Sequence, residues 1–340
     1  MERSFYRFPD GCAVTEYGRL VEYLDLREES QYGDIVLAKA DRMMRGMECA
    51  FVNIGRKKDG FLPLKENSRS FTDGEIHSGD LIAVQIKREE TGDKGAFLTR
   101  DLTIPGKMII LMPKNRYIGV SGRIQDEKTR ERLRETGKRI AGGEWGLVMR
   151  AASEKAPENE IRLEFAELLN RWKDTINRLR CAQKPGEVLF SPDPAGQMIT
   201  DYGIAETETV YLPELPAGLK SQLSAAGNRK VKLSGGGNII IDRCEAMTVI
   251  DVNTASAVYS GEKETTVTAA NLEACDEVAV QVRLRDIAGM ILIDFIDMDR
   301  ETDRSLVEQK LKEAFSRDRR KTVIHGWTRL GIMEMTRKRV

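Results

Sequence analysis

The sequence has few of the residues that build thiol and imidazole chemistry. Its 340 residues include two histidines and five cysteines, and no two cysteines stand in a CxxC pair. A disulfide framework, a thiol-rich zinc site and a histidine-based metal site or catalytic triad therefore lack the side chains that they need. We expect the cysteines to be mostly small core residues, and we expect carboxylates to carry any chemistry.

Long apolar runs are also missing. The longest run near the C-terminal half, Ile287 to Ile293, is far shorter than the roughly 20 residues of a membrane-spanning helix. The first residues, MERSFYRFPDG, carry charges and aromatic rings where a secretory signal has an apolar stretch. We therefore expect no membrane span and a cytoplasmic location.

Neither sign of charge is in excess. Lys+Arg and Asp+Glu both number 54, so a polyanion-binding surface would have to come from local clusters. Each such cluster is more often a solvated helix or loop face than a binding surface. The clusters are Arg317 with Arg319, Arg320 and Lys321, then Arg283 with Arg285, and finally Arg337 with Lys338 and Arg339.

Composition and spacing indicate a folded protein of two or more compact units. Hydrophobic residues make up 41% of the chain and charged residues 32%, which is typical of a globular protein with a well-solvated surface. Residues 33–103 read as five short strands with glycine-bearing turns, namely GDIVLAKADRMM, MECAFVNIG, DGFLPL, DLIAVQIKRE and AFLTRDL. That spacing predicts a five-stranded barrel.

Beyond the barrel, strands and helices alternate. Residues 104–188 predict a second α/β unit, with helices near Asp126 to Ile140 and from Glu158 to Cys181. Residues 186–230 have weaker signals and indicate a small α/β element. In residues 231–340, the segments GGGNIIIDR, AMTVIDVN and GMILIDFIDM predict strands, NLEACDEVAVQVRLRD predicts a helix, a charged helix runs from about Asp303 to Arg317, and a final strand covers Thr322 to His325. The triplet Gly235 to Gly237 lacks the lysine of a phosphate loop and indicates a hairpin turn.

Two apolar strands in this last region end on polar side chains. Asp251 and Asn253 follow the run Met247 to Ile250 at alternate positions, so both side chains lie on one side of the strand end. Asp294 interrupts a second apolar strand, where a carboxylate is costly unless a cation lies against it. A magnesium ion held by these oxygens fits that pattern. The structural alternative is turn capping or pairing with arginine, and Asp297 is assigned to structure.

Two aromatic residues of the predicted barrel stand next to glycine-bearing turns. Phe51 and Phe61 could stack on the bases of a single strand, and Lys94, in the loop TGDKGAFLT, could contact a phosphate. The alternative for each phenylalanine is a place in the core, where aromatic residues usually lie.

Together these segments resemble one family. Their order and spacing are similar to those of the catalytic region of the ribonuclease E/G family over residues 33–340. The stretch from Met247 to Met298 is highly specific, whereas the barrel motifs alone indicate only RNA binding. The segments that carry the resemblance are AFVNIG, DGFLPLKE, TGDKGAFLT, IPGKMIILMP, IGVSGRI, GLVMRAA, MTVIDVNTAS, NLEACDEVAVQVRLRDIAGMILIDFIDM and RLGIMEMTRKR.

The resemblance implies a mixed α/β (α+β) chain of several subdomains. Residues 1–32 with 189–230 would form an RNase H-like subdomain, into which an S1-type OB-fold barrel of residues 33–103 is inserted. Residues 104–188 match the 5′-sensor region, and residues 231–340 match a DNase I-like catalytic subdomain.

The resemblance also implies roles for single residues. Asp251, Asn253 and Asp294 fall on catalytic positions, with Asp251 and Asp294 as Mg²⁺ ligands and Asn253 orienting them. The implied cofactor is Mg²⁺, and the implied partner is single-stranded RNA such as mRNA or rRNA precursors. We assign RNA binding to five residues: Phe51, Phe61, Lys94, Arg150 and Lys321.

The sequence departs from the family in two places. Gly122 stands where the 5′-phosphate pocket has an arginine and Ala151 where it has a threonine, which leaves Arg150 and should weaken 5′-end sensing. The chain given also stops at Val340, before the cysteine pair that holds zinc between protomers in the family. Either the sequence is part of a longer protein, or any homo-oligomer assembles without a zinc link.

The sequence therefore predicts a Mg²⁺-dependent endoribonuclease that leaves 5′-phosphate and 3′-hydroxyl ends. One alternative is an inactive RNA-binding or ribosome-associated module that keeps the barrel. Another is a DNA nuclease, because a DNase I-like subdomain does not by itself choose the sugar.

Overall fold

The computed structural model describes residues 3–27, 31–64, 74–204, 208–254 and 263–338, without the side chains of residues 263–265. The chain divides into two compact units, which we call the split unit (Met1–Glu28 with Glu206–Arg339) and the inserted unit (Glu29–Ala205). In the described part of the chain, no helix is long and apolar enough to cross a membrane.

Eleven described strands precede the first described α-helix, and from that helix onward helices and strands are interspersed, as the sequence predicts for the region beyond the barrel. In chain order the elements are β1 (Arg3–Phe8), β2 (Gly11–Glu16), β3 (Arg19–Asp25), β4 (Ile35–Met44), β5 (Cys49–Asn53), β6 (Gly60–Pro63), β7 (Leu81–Arg88), β8 (Phe97–Thr99), β9 (Ile104–Pro105), β10 (Ile109–Met112), β11 (Ile118–Val120), α1 (Glu127–Ala141), β12 (Gly146–Met149), α2 (Glu158–Cys181), β13 (Val188–Phe190), α3 (Pro194–Tyr202), β14 (Thr209–Tyr211), α4 (Ala217–Ala225), β15 (Lys230–Lys232), β16 (Asn238–Arg243), β17 (Met247–Asn253), α5 (Lys263–Leu284), β18 (Gly289–Asp294), α6 (Glu301–Phe315), β19 (Thr322–Trp327) and β20 (Met333–Arg337).

The inserted unit contains the barrel predicted from the sequence. Strands β4, β5, β6, β8 and β7 follow one another, and pairing of β4 with β7 closes the sheet. Side chains alternate along β5, so that Ala50 and Val52 are buried in the barrel core while Phe51 is half-buried on the outer face. The mixed α/β class and the five-stranded barrel are therefore confirmed.

A second sheet of the inserted unit has the order β11-β12-β10-β9 and packs against α1 and α2. Asp126 caps α1 by accepting a hydrogen bond from the Thr129 amide at 2.8 Å, and Gly142 ends the helix in the left-handed conformation. The predicted helix Glu158–Cys181 coincides with α2, and the helix predicted near Asp126 to Ile140 is α1.

The described residues of the split unit form two sheets. The smaller has the order β14-β1-β2-β3, and the larger has the order β15-β16-β17-β18-β20-β19. Helices α5 and α6 contribute to one hydrophobic core with the larger sheet, including Val278, Leu311, Ile250 and Ile291. The prediction of a final strand at Thr322 to His325 is wrong in one respect, because β20 follows β19 and pairs between it and β18.

Candidate active site

Asp251 and Asp294 lie side by side at the ends of two parallel strands. The register of β17 on β18 pairs Asp251 directly with Asp294, and neighbouring strands are about 4.8 Å apart. Ile250, Val252 and Ile293 are buried in the core shared with α5 and α6. Because side chains alternate along a strand, the two carboxylates lie on the opposite face of the sheet.

The path of the chain explains why Asp251 and Asp294 are adjacent. Strands β17 and β18 are parallel and are connected through α5, whose Ala274, Val278 and Val282 are buried against the sheet. The carboxyl ends of parallel strands meet at one edge, which is where α/β sheets hold ligands. Residues 255–262 of the connection lie outside the described part of the chain.

No cationic side chain of the described residues pairs with Asp251 or Asp294, so pairing with arginine is not their role there. The Asn253 amide donates a hydrogen bond to Oδ2 of Asp251 at 2.6 Å, which holds that carboxylate in one orientation. Asp251 is half-buried and Asp294 is exposed. Two adjacent carboxylates repel each other unless a cation lies between or beside them.

Two carboxylates with no described histidine or thiolate beside them form a donor set that suits a hard divalent cation such as Mg²⁺. In the described ranges, no cluster of three or more histidine, cysteine, aspartate or glutamate side chains could hold a metal. Mg²⁺ commonly takes one or two carboxylates and leaves its other positions to water and phosphate. Asp251 and Asp294 offer hard oxygen ligands of that kind.

Three residues near the carboxylates were not predicted from the sequence. Lys230 lies in the same register row as Asp251 and Asp294, two strands from the first and three from the second. Lys232 lies beside Asn238 in the next row that faces the same side of the sheet. Both lysines are exposed. Asn238 is opposite Asn253, and its buried Oδ1 has no hydrogen-bond partner among the described residues.

The glycine triplet forms the hairpin turn predicted from the sequence, because it connects antiparallel β15 and β16. A Cβ at Gly237 would lie 2.7 Å from the Asn253 carbonyl oxygen, so glycine allows this close approach. Counting back from this turn would have placed Lys230 and Lys232 opposite β16. The sequence signal was therefore present for the lysines.

A strip of three phenylalanines runs over the outer face of the barrel. Phe51 and Phe61 have ring centroids 6.0 Å apart, and Phe61 and Phe97 have centroids 5.8 Å apart. The Arg42 guanidinium lies 5.5 Å from the Phe51 centroid, and that of Arg88 lies 4.7 Å from the Phe97 centroid. We call these three rings the aromatic strip.

The aromatic strip is outside the barrel core, so a core role for Phe51 and Phe61 is wrong: all three rings are half-buried. Lys94 is exposed in a tight turn whose backbone bonds with Thr91 run in both directions. Phe97, Arg42 and Arg88 were missed because their neighbourhood depends on the barrel register, which local patterns do not reveal.

Arg150 has partners of its own at the end of β12. Its Nη2 lies 2.6 Å from Oδ1 of Asp201, and its Nη1 donates to the Gly106 carbonyl. Gly122 has open space around it, since a Cβ there would meet nothing within 4 Å. Ala151 begins a short 3₁₀ turn. The role of Arg150 toward RNA stays a prediction.

Most arginines of the three basic clusters form ion pairs inside the split unit, which favours a structural role over a polyanion surface. Lys321 is exposed, and its assignment to RNA stays a prediction, while Arg339 lies outside the described residues. The pairs are Arg319 with Glu22 at 2.5 Å, Arg320 with Asp286 at 2.7 Å, Arg337 with Asp318 at 2.6 Å, and Arg283 with Glu16 at 3.1 Å.

Comparisons with known proteins cover nearly the whole chain. The model of the Ribonuclease E/G family matches residues 103–215 and 216–340. Ribonuclease G of Escherichia coli (strain K12) is 31% identical over 95% of this chain and 76% of its own length. Ribonuclease G of Haemophilus influenzae is 32% identical, with 96% and 77% covered. Ribonuclease E of Escherichia coli (strain K12) is 33% identical over 92% of this chain, which spans only 34% of that longer protein.

Proposed function

Because this chain belongs to the ribonuclease E/G family, we propose that it is an endoribonuclease, a hydrolase that cuts RNA internally during RNA processing or decay. The observation that carries the proposal is the pair Asp251 and Asp294, in register across two parallel strands and without a cationic partner among the described residues. Its substrates would be single-stranded regions of mRNA or rRNA precursors.

We propose Mg²⁺ as the cofactor, with Asp251 and Asp294 as its ligands. When bound, the ion supplies a Lewis acid that offsets negative charge on the phosphoryl oxygens and favours ionisation of water. Asn253 acts as a positioning residue, because its amide fixes Oδ2 of Asp251. Water adds to phosphorus, the bond to O3′ breaks and O3′ takes up a proton, so the products carry 5′-phosphate and 3′-hydroxyl ends.

The aromatic strip supports single-stranded RNA as the substrate class. Bases of an unpaired strand can stack on exposed ring faces, and each such contact contributes about 1–3 kcal/mol in single-strand binding proteins. The guanidinium groups of Arg42 and Arg88, next to the outer rings, and the exposed Lys94 can contact phosphates.

The finer assignments follow the family resemblance. We propose the subdomains predicted from the sequence, with an S1-type barrel at residues 33–103 and a DNase I-like catalytic subdomain at residues 231–340. We propose that the enzyme acts in the cytoplasm. A homo-oligomer would be detected by determining the size of the same sample that is assayed for cleavage.

Cleavage of a 5′-labelled, unstructured A/U-rich RNA during a Mg²⁺ titration tests the proposal. We expect the rate of wild-type cleavage to rise with Mg²⁺ concentration and cleavage to stop in EDTA. Asp251→Asn should show no cleavage at any Mg²⁺ concentration at which the wild type is active. Asp297→Asn is the matched control, since Asp297 is an exposed acid three residues after Asp294. Equal loss in both variants would contradict the assignment.

The two rival functions give different results in the same assay. An RNA-binding module without activity would bind the labelled RNA tightly and show no Mg²⁺-dependent cleavage at any enzyme concentration. A DNA nuclease would digest a DNA oligonucleotide of the same sequence at least as fast as the RNA. We expect cleavage of the RNA alone, with product ends that accept ligation at the 5′-phosphate.

A further inference from the structure

A cavity of about 360 Å³ lies in the inserted unit, and none of the aromatic-strip residues lines it. It is bordered by the last turns of α1 and by the segments that lead into β11 and β12. No acidic residue is among its lining side chains. The side chains that could recognise a ligand are three cations and two aromatic rings: Arg116, Arg134, Lys138, Tyr117 and Trp145.

The Tyr117 ring is held in place although it is exposed to solvent. Its exposed fraction is 40%, so part of the ring faces solvent. A Cβ at Gly119 would lie 2.6 Å from the Tyr117 ring, so the ring packs directly over the glycine backbone. The Tyr117 amide also donates to Oδ1 of buried Asn115 at 2.8 Å. An exposed ring that is fixed from below offers a flat surface for stacking.

Among the described residues, two of the cations pair only with exposed neighbours on the same helix. Arg134 pairs with Glu131, and Lys138 pairs with Glu135 at 2.6 Å, each three positions along α1. Exposed pairs of this kind contribute little to stability, and water and salt screen them. A phosphate that accepts charge-assisted hydrogen bonds from both side chains can therefore replace these contacts.

The cavity is separate from the region to which the sequence assigns 5′-end recognition. Tyr117 and Trp145 precede β11 and β12, whereas Arg150 and Gly122 follow them. Because β11 and β12 are parallel, the two regions lie at opposite ends of the same strands. A ligand in this cavity would therefore be distinct from a 5′-terminal phosphate at Arg150.

We propose that this cavity binds one internal nucleotide of single-stranded RNA, with the base on Tyr117 and Trp145 and the phosphate at Arg134 and Lys138. The volume is within the range of about 300–1,000 Å³ that small ligands occupy, and rings next to cations are the composition by which proteins bind single strands without sequence preference. The choice of RNA as the polymer rests on the proposed function, whereas the nucleotide chemistry rests on the cavity.

Equilibrium binding to the full chain in EDTA tests this proposal without any cleavage. The probe is a fluorescein-labelled, eight-nucleotide A/U-rich RNA followed by anisotropy, compared among wild type, Arg134→Gln/Lys138→Gln and Lys128→Gln. Lys128 is an exposed cation of the same helix that does not line the cavity. We expect the double variant to raise Kd about tenfold and to reduce the salt dependence of binding by about one to two charges. Lys128→Gln should stay within about twofold of wild type.

Tryptophan fluorescence provides a second readout, because it detects contact between an RNA base and Trp145. Unlabelled RNA should quench emission from the wild type, and Trp145→Phe should remove that change. AMP and inorganic phosphate, added separately, distinguish a free nucleotide and a simple anion from the polymer. An Arg134→Lys/Lys138→Arg variant keeps both charges and should bind RNA as the wild type does, which would assign the loss in the double variant to the missing charges.

Wild-type RNA affinity in the double variant together with unchanged quenching in Trp145→Phe would overturn the proposal. Quenching by AMP but not by RNA would overturn its assignment to the polymer. Neither result depends on cleavage, so the endoribonuclease proposal would stand or fall separately by the Mg²⁺ assay.

Discussion

Two groups of carboxylates in the split unit have opposite surroundings. Glu16, Glu22 and Asp318 are buried, and each is paired with at least one arginine. Asp251 and Asp294 face each other across two strands, and no cation of the described residues pairs with them. Both groups are acids near a hydrophobic core, but the described side chains neutralise only the first.

The paired group shows what a buried carboxylate needs from this fold. Burial raises the pKa of Glu16, but hydrogen bonds and charge from Arg283 and Arg3 outweigh it and hold the pKa below its ordinary value. Burial acts in the same way on Asp318, and Arg337 lowers the pKa of that carboxyl. The fold therefore supplies arginines where these acids are structural, whereas none of the described cations pairs with Asp251 or Asp294, as the proposed metal site requires.

The largest effect should come from removing a charge of the unpaired group. We expect Asp294→Asn to lower the single-turnover cleavage rate at least about 10³-fold, because a metal ligand contributes several kcal/mol to the stability of the transition state. The free energy of unfolding in urea should not fall, since the variant relieves repulsion with Asp251. A cleavage rate within tenfold of the wild-type rate would contradict a catalytic role for the unpaired group.

Removing a charge of the paired group should act on stability. Asp318→Asn leaves the guanidinium of Arg337, which is 0% exposed, with a weaker partner at Asp286. We expect the free energy of unfolding in urea to drop by about 3 kcal/mol, as when one partner of a buried ion pair is lost. Asp242→Asn, which breaks an exposed pair with Arg229, is the control and should cost little. Equal stability of the two variants would contradict this comparison.

Local patterns predicted much of this fold. The helix Glu158–Cys181 was placed correctly because its apolar positions recur at helical spacing over 24 residues. Strand β20 was missed because its five residues, MEMTR, alternate apolar and polar side chains over too short a length to stand out. It is a strand because β18 and β19 pair with it on either side.

The site residues also divide into those that local patterns predict and those that depend on long-range contacts. Asp251 and Asp294 could be predicted because each interrupts or ends an apolar run, which is a local signal. The partner of Arg319 is Glu22, at a separation of 297 positions, and no local pattern connects them. The row that joins Lys230 to Asp251 depends on strand register across two pairings.

The pH dependence of stability should follow the paired group. Because the pKa of Glu16 and of Asp318 is lower in the folded state, the unfolded chain binds more protons, and stability rises with pH. This contribution is present above about pH 4, where the pKa values of these carboxyls lie in the unfolded chain. It is lost as the pH falls through their lower pKa values in the folded state. Urea midpoints between pH 7 and pH 3 should show the fall, and Asp318→Asn should make it shallower. A profile that Asp318→Asn leaves unchanged would show that this ion pair does not govern it.

Cations near the unpaired group should affect RNA binding more than catalysis. Lys230 and Lys232 share a sheet face with Asp251 and are exposed, so they can contact phosphates that flank the cut. We expect Lys230→Gln/Lys232→Gln to raise KM for RNA about tenfold and to reduce its salt dependence by about one to two charges, with kcat changed less than about twofold. Lys220→Gln, on α4 of the same unit, is the control. A loss confined to kcat would instead place the lysines in the chemical step.

The smallest expected effect tests whether an ion pair also prevents a cation, Arg150, from binding a 5′-phosphate. Arg150 is held by Asp201 at 2.6 Å, so a 5′-phosphate has to compete with a carboxylate that is already in place. We expect the ratio of cleavage rates for 5′-monophosphate and 5′-hydroxyl RNA to stay within about twofold in the wild type. Gly122→Arg/Ala151→Thr adds an arginine where there is open space and a hydroxyl donor, and the ratio should rise to about fivefold as charge-assisted bonds form. A strong preference of the wild type for 5′-monophosphate RNA would mean that the phosphate displaces Asp201 from Arg150. In that case an ion pair within this protein does not by itself show that a residue is structural.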